Sequence, residues 1–165
     1  MYRKDSIIIE EWLKRSDKAL LVTGARQIGK TWLIREEIAK SGYRKFEVNF
    51  IDQPDLVDYL NVKMSANEFL VKLKMIMPED CKPQETVVFF DEIQIVDGWE
   101  KFCRRMADAG ESVCITGSNA DMLSSEIATT LGGRFLIKYI TPYNFREYLT
   151  ALGVPHDSRA ILQTR

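Results

Sequence analysis

Histidine and cysteine are scarce in this chain of 165 residues, which has one His and three Cys. The thiols, Cys81, Cys103 and Cys114, are widely spaced and odd in number, and His156 is alone, so neither a disulfide framework nor a zinc site fits. A reducing cytoplasm is the expected setting. Long apolar runs are missing too. Ile7 to Ile9 follows the basic start Met1-Tyr2-Arg3-Lys4 but is broken by Glu10 and Glu11, too soon for a signal segment. No stretch approaches the ~20 apolar residues that cross a bilayer, so a soluble chain with no membrane partner is expected. Charge of one sign is also lacking. Lys plus Arg is 23 against 24 for Asp plus Glu, and the net charge of −1 gives nucleic-acid binding no electrostatic support. Without repeats, low-complexity tracts or linkers, residues 1–165 read as a single domain.

What is there is an ordinary globular composition, 45% apolar and 28% charged. Five β-rich runs, Ala19 to Thr23, Phe46 to Ile51, Thr86 to Phe90, Val113 to Thr116 and Phe135 to Ile140, alternate with segments of helical periodicity. That alternation predicts an α/β fold with a mainly parallel sheet covered on both faces. Trp99, Phe102, Cys103 and Met106 form one helical stripe, with Asp97 and Glu100 as its capping box. Phe69, Leu70, Leu73, Ile76 and Met77 form a second, and Leu123, Ile127 and Leu131 a third. A last helix is predicted from Thr141 as N-cap and Pro142 at its first position, with the face Phe145, Tyr148, Leu149 and Leu152 ending at Gly153 and Pro155. Trp12, Trp32 and Trp99 read as packing residues, Cys114 as a buried small hydrophobe and His156 as a loop residue.

The strongest chemical signal is Gly24-Ala25-Arg26-Gln27-Ile28-Gly29-Lys30-Thr31, which fits G-x-x-x-x-G-K-[ST] and lies between a strand and a helix. In that context successive backbone N–H groups curl around phosphate oxygens at the positive end of a helix. Gly24, Ala25, Arg26, Gln27, Ile28, Gly29, Lys30, Thr31 and the adjoining Trp32 are therefore the candidate nucleotide-binding residues. Lys30 suits the β and γ phosphates, and the Thr31 hydroxyl suits Mg²⁺.

Val87-Val88-Phe89-Phe90 delivers Asp91 and Glu92 to the carboxyl edge of the sheet, where ligands of open α/β folds bind. Asp91 is the second candidate magnesium ligand, and Glu92 the candidate base for water attacking the γ phosphate. An acid pair capping the following turn is the bland alternative. Thr116-Gly117-Ser118-Asn119 brings small polar groups to the same edge, and Ser118 either contacts the γ phosphate or caps a helix with Asp121. Arg134, after Gly132 and Gly133, either stabilises charge on a neighbouring subunit's nucleotide through self-association or forms a surface ion pair. The strand between the loop and the acids in sequence resembles the additional-strand division of phosphate-loop NTPases.

These residues, together with Phe89 to Gln94, Ile115 to Ser118, Gly133 to Phe135 and the segment Thr141 to Tyr148, resemble the AAA-type ATPase domain of prokaryotic predicted ATPases. Longer members of that family carry a C-terminal domain of unknown function with a nuclease-like fold. The resemblance implies a three-layer α/β/α P-loop NTPase sandwich and ATP with Mg²⁺. It also implies roles by position: Lys30 and Thr31 on phosphate and metal, Asp91 on metal, Glu92 as base, Ser118 as sensor. ATP rather than GTP follows mainly from the family, no Asn-Lys-x-Asp-like guanine reader being present. The chain stops where such ATPases continue into a helical lid, so a core lacking the lid and the C-terminal domain is expected. A magnesium-dependent ATPase acting as a switch or motor on an unknown protein client is the leading expectation. A nucleotide-binding regulatory module with little turnover is the alternative. A small-molecule kinase would need an acceptor pocket and basic lid, and Arg104 and Arg105 read instead as a solvated helix face.

Overall fold

The computed structural model describes residues 3–15, 18–60, 65–82, 85–117 and 129–154. Its two purest apolar runs, β1 (Ala19–Thr23) and β3 (Thr86–Asp91), are buried at every position, as strands covered on both faces must be. With β2 (Arg44–Asn49), β4 (Ser112–Gly117) and β5 (Phe135–Tyr139) they build an all-parallel sheet in the order β2-β3-β4-β1-β5. The strand β4 thus separates β1 from β3, which is the arrangement expected of the additional-strand division. Because all five strands run the same way, the ends of β1, β3 and β4 reach one edge of the sheet together.

Side-chain alternation along the strands sorts the core into two layers. On one face Leu20, Val22, Val87, Phe89 and Cys114 pack with Ile9, Trp12, Leu33, Ile34 and Ile38, which belong to α1 (Ser6–Arg15) and α2 (Lys30–Ser41). On the other, Leu21, Val88, Phe90, Val113 and Ile115 pack with Phe69, Leu73, Phe102 and Met106, from α4 (Ala66–Ile76) and α5 (Trp99–Asp108). The Phe69 and Phe102 rings stack with centroids 3.7 Å apart, and Phe90 meets both edge-on. The three-layer sandwich is as expected.

Several boundaries differ from the sequence reading for local reasons. β2 ends at Asn49 rather than Ile51, because the Asn49 side chain accepts hydrogen bonds from the backbone N–H of Ile51 at 2.9 Å and Asp52 at 3.2 Å, a turn that competes with the strand. The turn leads into the short α3 (Pro54–Tyr59), with Pro at its start. The expected Asp97 and Glu100 box does not form. Gly98, at φ +68°, is the N-cap of α5 instead, and no side chain caps it.

The last helix, α6 (Phe145–Ala151), begins three residues later than Thr141 and Pro142 suggest. Ile140 is held to the sheet by its N–H on the Thr23 carbonyl, and the Thr141 carbonyl is taken by Arg3, so the chain stays extended. Asn144 and Glu147 then form a reciprocal capping box. The expected inward face is turned to solvent: Phe145, Tyr148 and Leu152 are 68%, 53% and 58% exposed, while Glu147 is buried. Trp12 and Trp99 are packed in the core, but Trp32 is 38% exposed and is not a core residue. Leu131 is buried; Leu123, Ile127, Ser118, Asp121, Pro155 and His156 lie outside the described residues.

Candidate functional site

The loop after β1 is shaped by what surrounds it. Gly24 has φ +144°, and a Cβ there would lie 2.3 Å from the Ile140 carbonyl oxygen, so any other residue collides with the backbone just after β5. Gln27 and Gly29 both take left-handed backbone, at φ +60° and +86°. Gly29 is the N-cap of α2 and offers no capping side chain, which leaves the first amides of α2 facing the loop for an anion. Ala25, Arg26 and Gln27 are exposed at the rim, Ile28 is half-buried, and Trp32 stands exposed on the first turn of α2.

Lys30 is almost fully buried and folds back across this turn. Its Nζ donates to the carbonyls of Gly24 at 2.9 Å and Ala25 at 2.7 Å. Burial pulls its pKa below the ordinary lysine value; the charges of Glu92 and Asp91 oppose that shift, and Arg26 adds to it. Thr31 Oγ donates to the Asp91 carboxylate, 3.0 Å from either oxygen, joining positions that are 60 residues apart in the chain. Two further groups hold that carboxylate: Thr116 Oγ, from the intervening β4, and Asn49 Nδ2, at 3.3 Å from the end of β2. Burial raises the Asp91 pKa above the usual carboxylate range, more than the hydrogen bonds from Thr116 and Thr31 lower it, and Glu92 and Glu47 add to the rise.

Glu92 leaves β3 in a left-handed conformation, φ +55°, uncommon for a residue with a side chain. Its N–H donates to Thr116 Oγ at 3.2 Å, and its carboxylate accepts from Gln94 Nε2 at 2.6 Å. The Oε1 of Gln94 is buried with no partner among the described residues.

The geometry therefore gathers Lys30, Thr31, Asp91 and Glu92 at one sheet edge, beside the glycine turn. Arg134 is elsewhere. It precedes β5, whose first residue pairs with the first residue of β1, so it sits at the opposite edge, ion-paired with Asp108 at the end of α5. Ser118 follows β4 but lies outside the described residues. Among the described residues no cluster of three or more His, Cys, Asp or Glu could form a metal cage by itself. A hydroxyl and one carboxylate nevertheless fit a hard cation such as Mg²⁺, which keeps waters and phosphate oxygens as its other ligands.

Asn49, Gln94 and Arg3 escaped the sequence reading as members of this neighbourhood, and Thr116, placed at this edge by that reading, was not foreseen as a partner of Asp91. Sequence position alone signalled only Thr116 and Gln94, one near the end of a strand and the other two residues beyond the acid pair.

A family model described as an AAA domain matches residues 16–149. The chain belongs to this AAA domain family. Related proteins include an uncharacterized protein of Methanocaldococcus jannaschii, 37% identical over 134 residues, covering 81% of this chain and 28% of the relative. Another, from Haemophilus influenzae and also uncharacterized, is 33% identical over 153 residues, covering 90% of this chain and 37% of the relative. The chain thus spans about a third of the length of these relatives. Among solved structures, the AAA domain resembles Hsp104 in its closed state with ATPγS and FITC casein, at a TM-score of 0.62, 18% identity, 91% of this chain and 28% of that one. It also resembles C. elegans PCH-2, at a TM-score of 0.53, 13% identity, 93% of this chain and 47% of that one. These two share the fold, and the AAA family is one of nucleotide-binding, ATPase-type domains. No helix among the described residues is long and apolar enough to cross a membrane.

Proposed function

We propose that this AAA domain binds ATP with Mg²⁺ and hydrolyses it, working as a cytoplasmic switch or motor on a protein client. The observation that carries the reading is the Thr31–Asp91 contact beside an uncapped helix start: two separate motifs meet where a triphosphate and its cation would be held. Thr31 and Asp91 would hold the metal, which would neutralise phosphate charge and orient the tail. Backbone amides from Gly24 to Thr31 bind the phosphates. Lys30, released from the Gly24 and Ala25 carbonyls, turns its ammonium to the β and γ oxygens. Glu92 accepts the proton of the attacking water, and Ser118 senses the γ phosphate. Arg134 serves a neighbouring subunit's nucleotide only by giving up its pair with Asp108.

One observation favours the alternative, a nucleotide-binding regulatory module with little turnover. Gln94 holds the Glu92 carboxylate at 2.6 Å, and a base so engaged is withheld from water. Equilibrium titration with ATP and GTP, with and without Mg²⁺, followed by phosphate release, decides between them. Lys30→Ala is expected to abolish saturable binding. Glu92→Gln is expected to retain binding and lower kcat by about 100-fold or more, the usual scale for losing a general base. Turnover unchanged in Glu92→Gln removes the base assignment; equal binding by wild type and Lys30→Ala removes the site.

A further inference from the structure

Among the described residues, Arg3 is the one fully buried arginine, and it lies directly behind the phosphate loop. Its Nη1 donates to the Ile28 carbonyl at 2.7 Å and its Nη2 to the Thr141 carbonyl at 2.5 Å. Nη1 also sits 3.5 Å from the point that a Cβ on Gly29 would occupy. Since Thr141 follows the Ile140 carbonyl that presses on Gly24, one guanidinium ties down both flanks of the loop. Its plane is covered by the Tyr143 ring, 4.5 Å from the centroid.

None of those partners cancels its charge. Among the described residues, the carboxylate within 4 Å of Arg3 is Asp5, at 3.9 Å, and Asp5 also holds Lys138 at 3.2 Å. Two cations share Asp5, and the buried Glu147 carboxylate nearby is engaged by the backbone N–H groups of Lys4 at 2.8 Å and Asn144 at 2.9 Å, so the guanidinium has no close anion of its own, and among the described residues Arg3 Nε is buried without a partner. An undercompensated buried cation is costly to keep. Here it stands beneath the run of backbone that would wrap an anion, where a ligand's negative charge offsets it through a medium of low effective dielectric.

We propose that Arg3 is a positioning residue of the phosphate loop whose buried charge makes the site grade nucleotides by the charge of their tail, triphosphate above diphosphate above monophosphate. The proposal rests on the nucleotide reading above and extends it to a residue outside the loop motif. It is tested by measuring the affinities of ATP, ADP and AMP, by calorimetry, for wild type, Arg3→Met, Arg3→Lys and Asp5→Asn in the full 165-residue chain. Arg3→Met is expected to weaken ATP by about tenfold or more, ADP by less and AMP least, as unit charges at partly buried distances predict. Arg3→Lys, which keeps the charge and loses the fork, is expected to preserve most of the grading.

Asp5→Asn removes the shared anion while leaving Arg3 in place, and is expected to widen the ATP-to-AMP affinity ratio severalfold. Grading lost in Arg3→Lys as fully as in Arg3→Met, the mark of a merely structural role, overturns the proposal, as does equal weakening of all three nucleotides in Arg3→Met or an unchanged or narrowed ratio in Asp5→Asn. Should Arg3→Met fail to fold, the ratios in Arg3→Lys and Asp5→Asn decide by themselves. A wild type that binds none of the three removes the nucleotide reading and this proposal with it, whereas graded binding insensitive to these variants removes this proposal alone.

Discussion

Gly24 shows how narrowly a single position can be specified. Its backbone lies at φ +144°, and the space a methyl group would fill is already taken by the Ile140 carbonyl. Gly24→Ala is therefore expected to displace the loop from β5 and weaken ATP binding by more than about tenfold, a cost on the scale of local backbone strain. Titration of the variant beside wild type checks this, and undiminished affinity would show that the loop tolerates a shift. The glycine, Lys30 and Thr31 were legible because one contiguous motif contains all three. Asn49 and Arg3 were not, since their nearness to the site depends on strand order and on the path of a buried segment, both of which are non-local. Asp91 and Glu92 fall between these cases. Their place at a strand end could be read, but the Asn49 and Thr116 groups around Asp91 come from two other strands, and nothing in the sequence pairs them.

At the scale of elements, the strands were the most legible part because burial on both faces left them continuously apolar. Helix starts were less so. The rule that puts Asp97 or Thr141 at a cap is local, whereas α5 and α6 begin where neighbouring chain lets them. The link between α2 and β2 carries a pH dependence. Burial pushes the Glu47 carboxyl up, but hydrogen bonds from Arg35 and Lys45 and their charges outweigh it and hold Glu47 below the usual carboxylate range. A carboxylate depressed in the folded state adds stability above its unfolded pKa, and that stability is lost as pH falls through the folded value. Because Arg35 is 47% exposed, its worth is discounted to at most about 1 kcal/mol. Arg35→Gln should thus lower the thermal midpoint by roughly 2–4 °C at pH 7. The gap to wild type should close as acid protonates Glu47; a gap constant from pH 7 to pH 3 would assign the pair no part in acid stability.

For the whole molecule, the two core layers divide the aromatic residues unevenly. Phe50, Phe69, Phe90 and Phe102 lie together on the face of α4 and α5, whereas the face of α1 and α2 is mainly aliphatic around Trp12 and Phe89. The general architecture followed from the alternation of strand and helix patterns, but this division did not, because it depends on which way each strand is turned. The same division gives the molecule three indoles in three surroundings: Trp12 at 5% and Trp99 at 4% exposure, one in each layer, and Trp32 at 38% on the turn beside the glycine loop after β1. An aqueous quencher such as acrylamide should reach Trp32 first, dimming the red side of the emission and leaving the two sheltered indoles bright until the chain unfolds. Nucleotide occupancy should then alter the quenchable fraction alone, so the native protein carries its own optical gauge of the loop, without a label; a Trp32→Phe chain with the same quenching curve would show that the signal arises elsewhere.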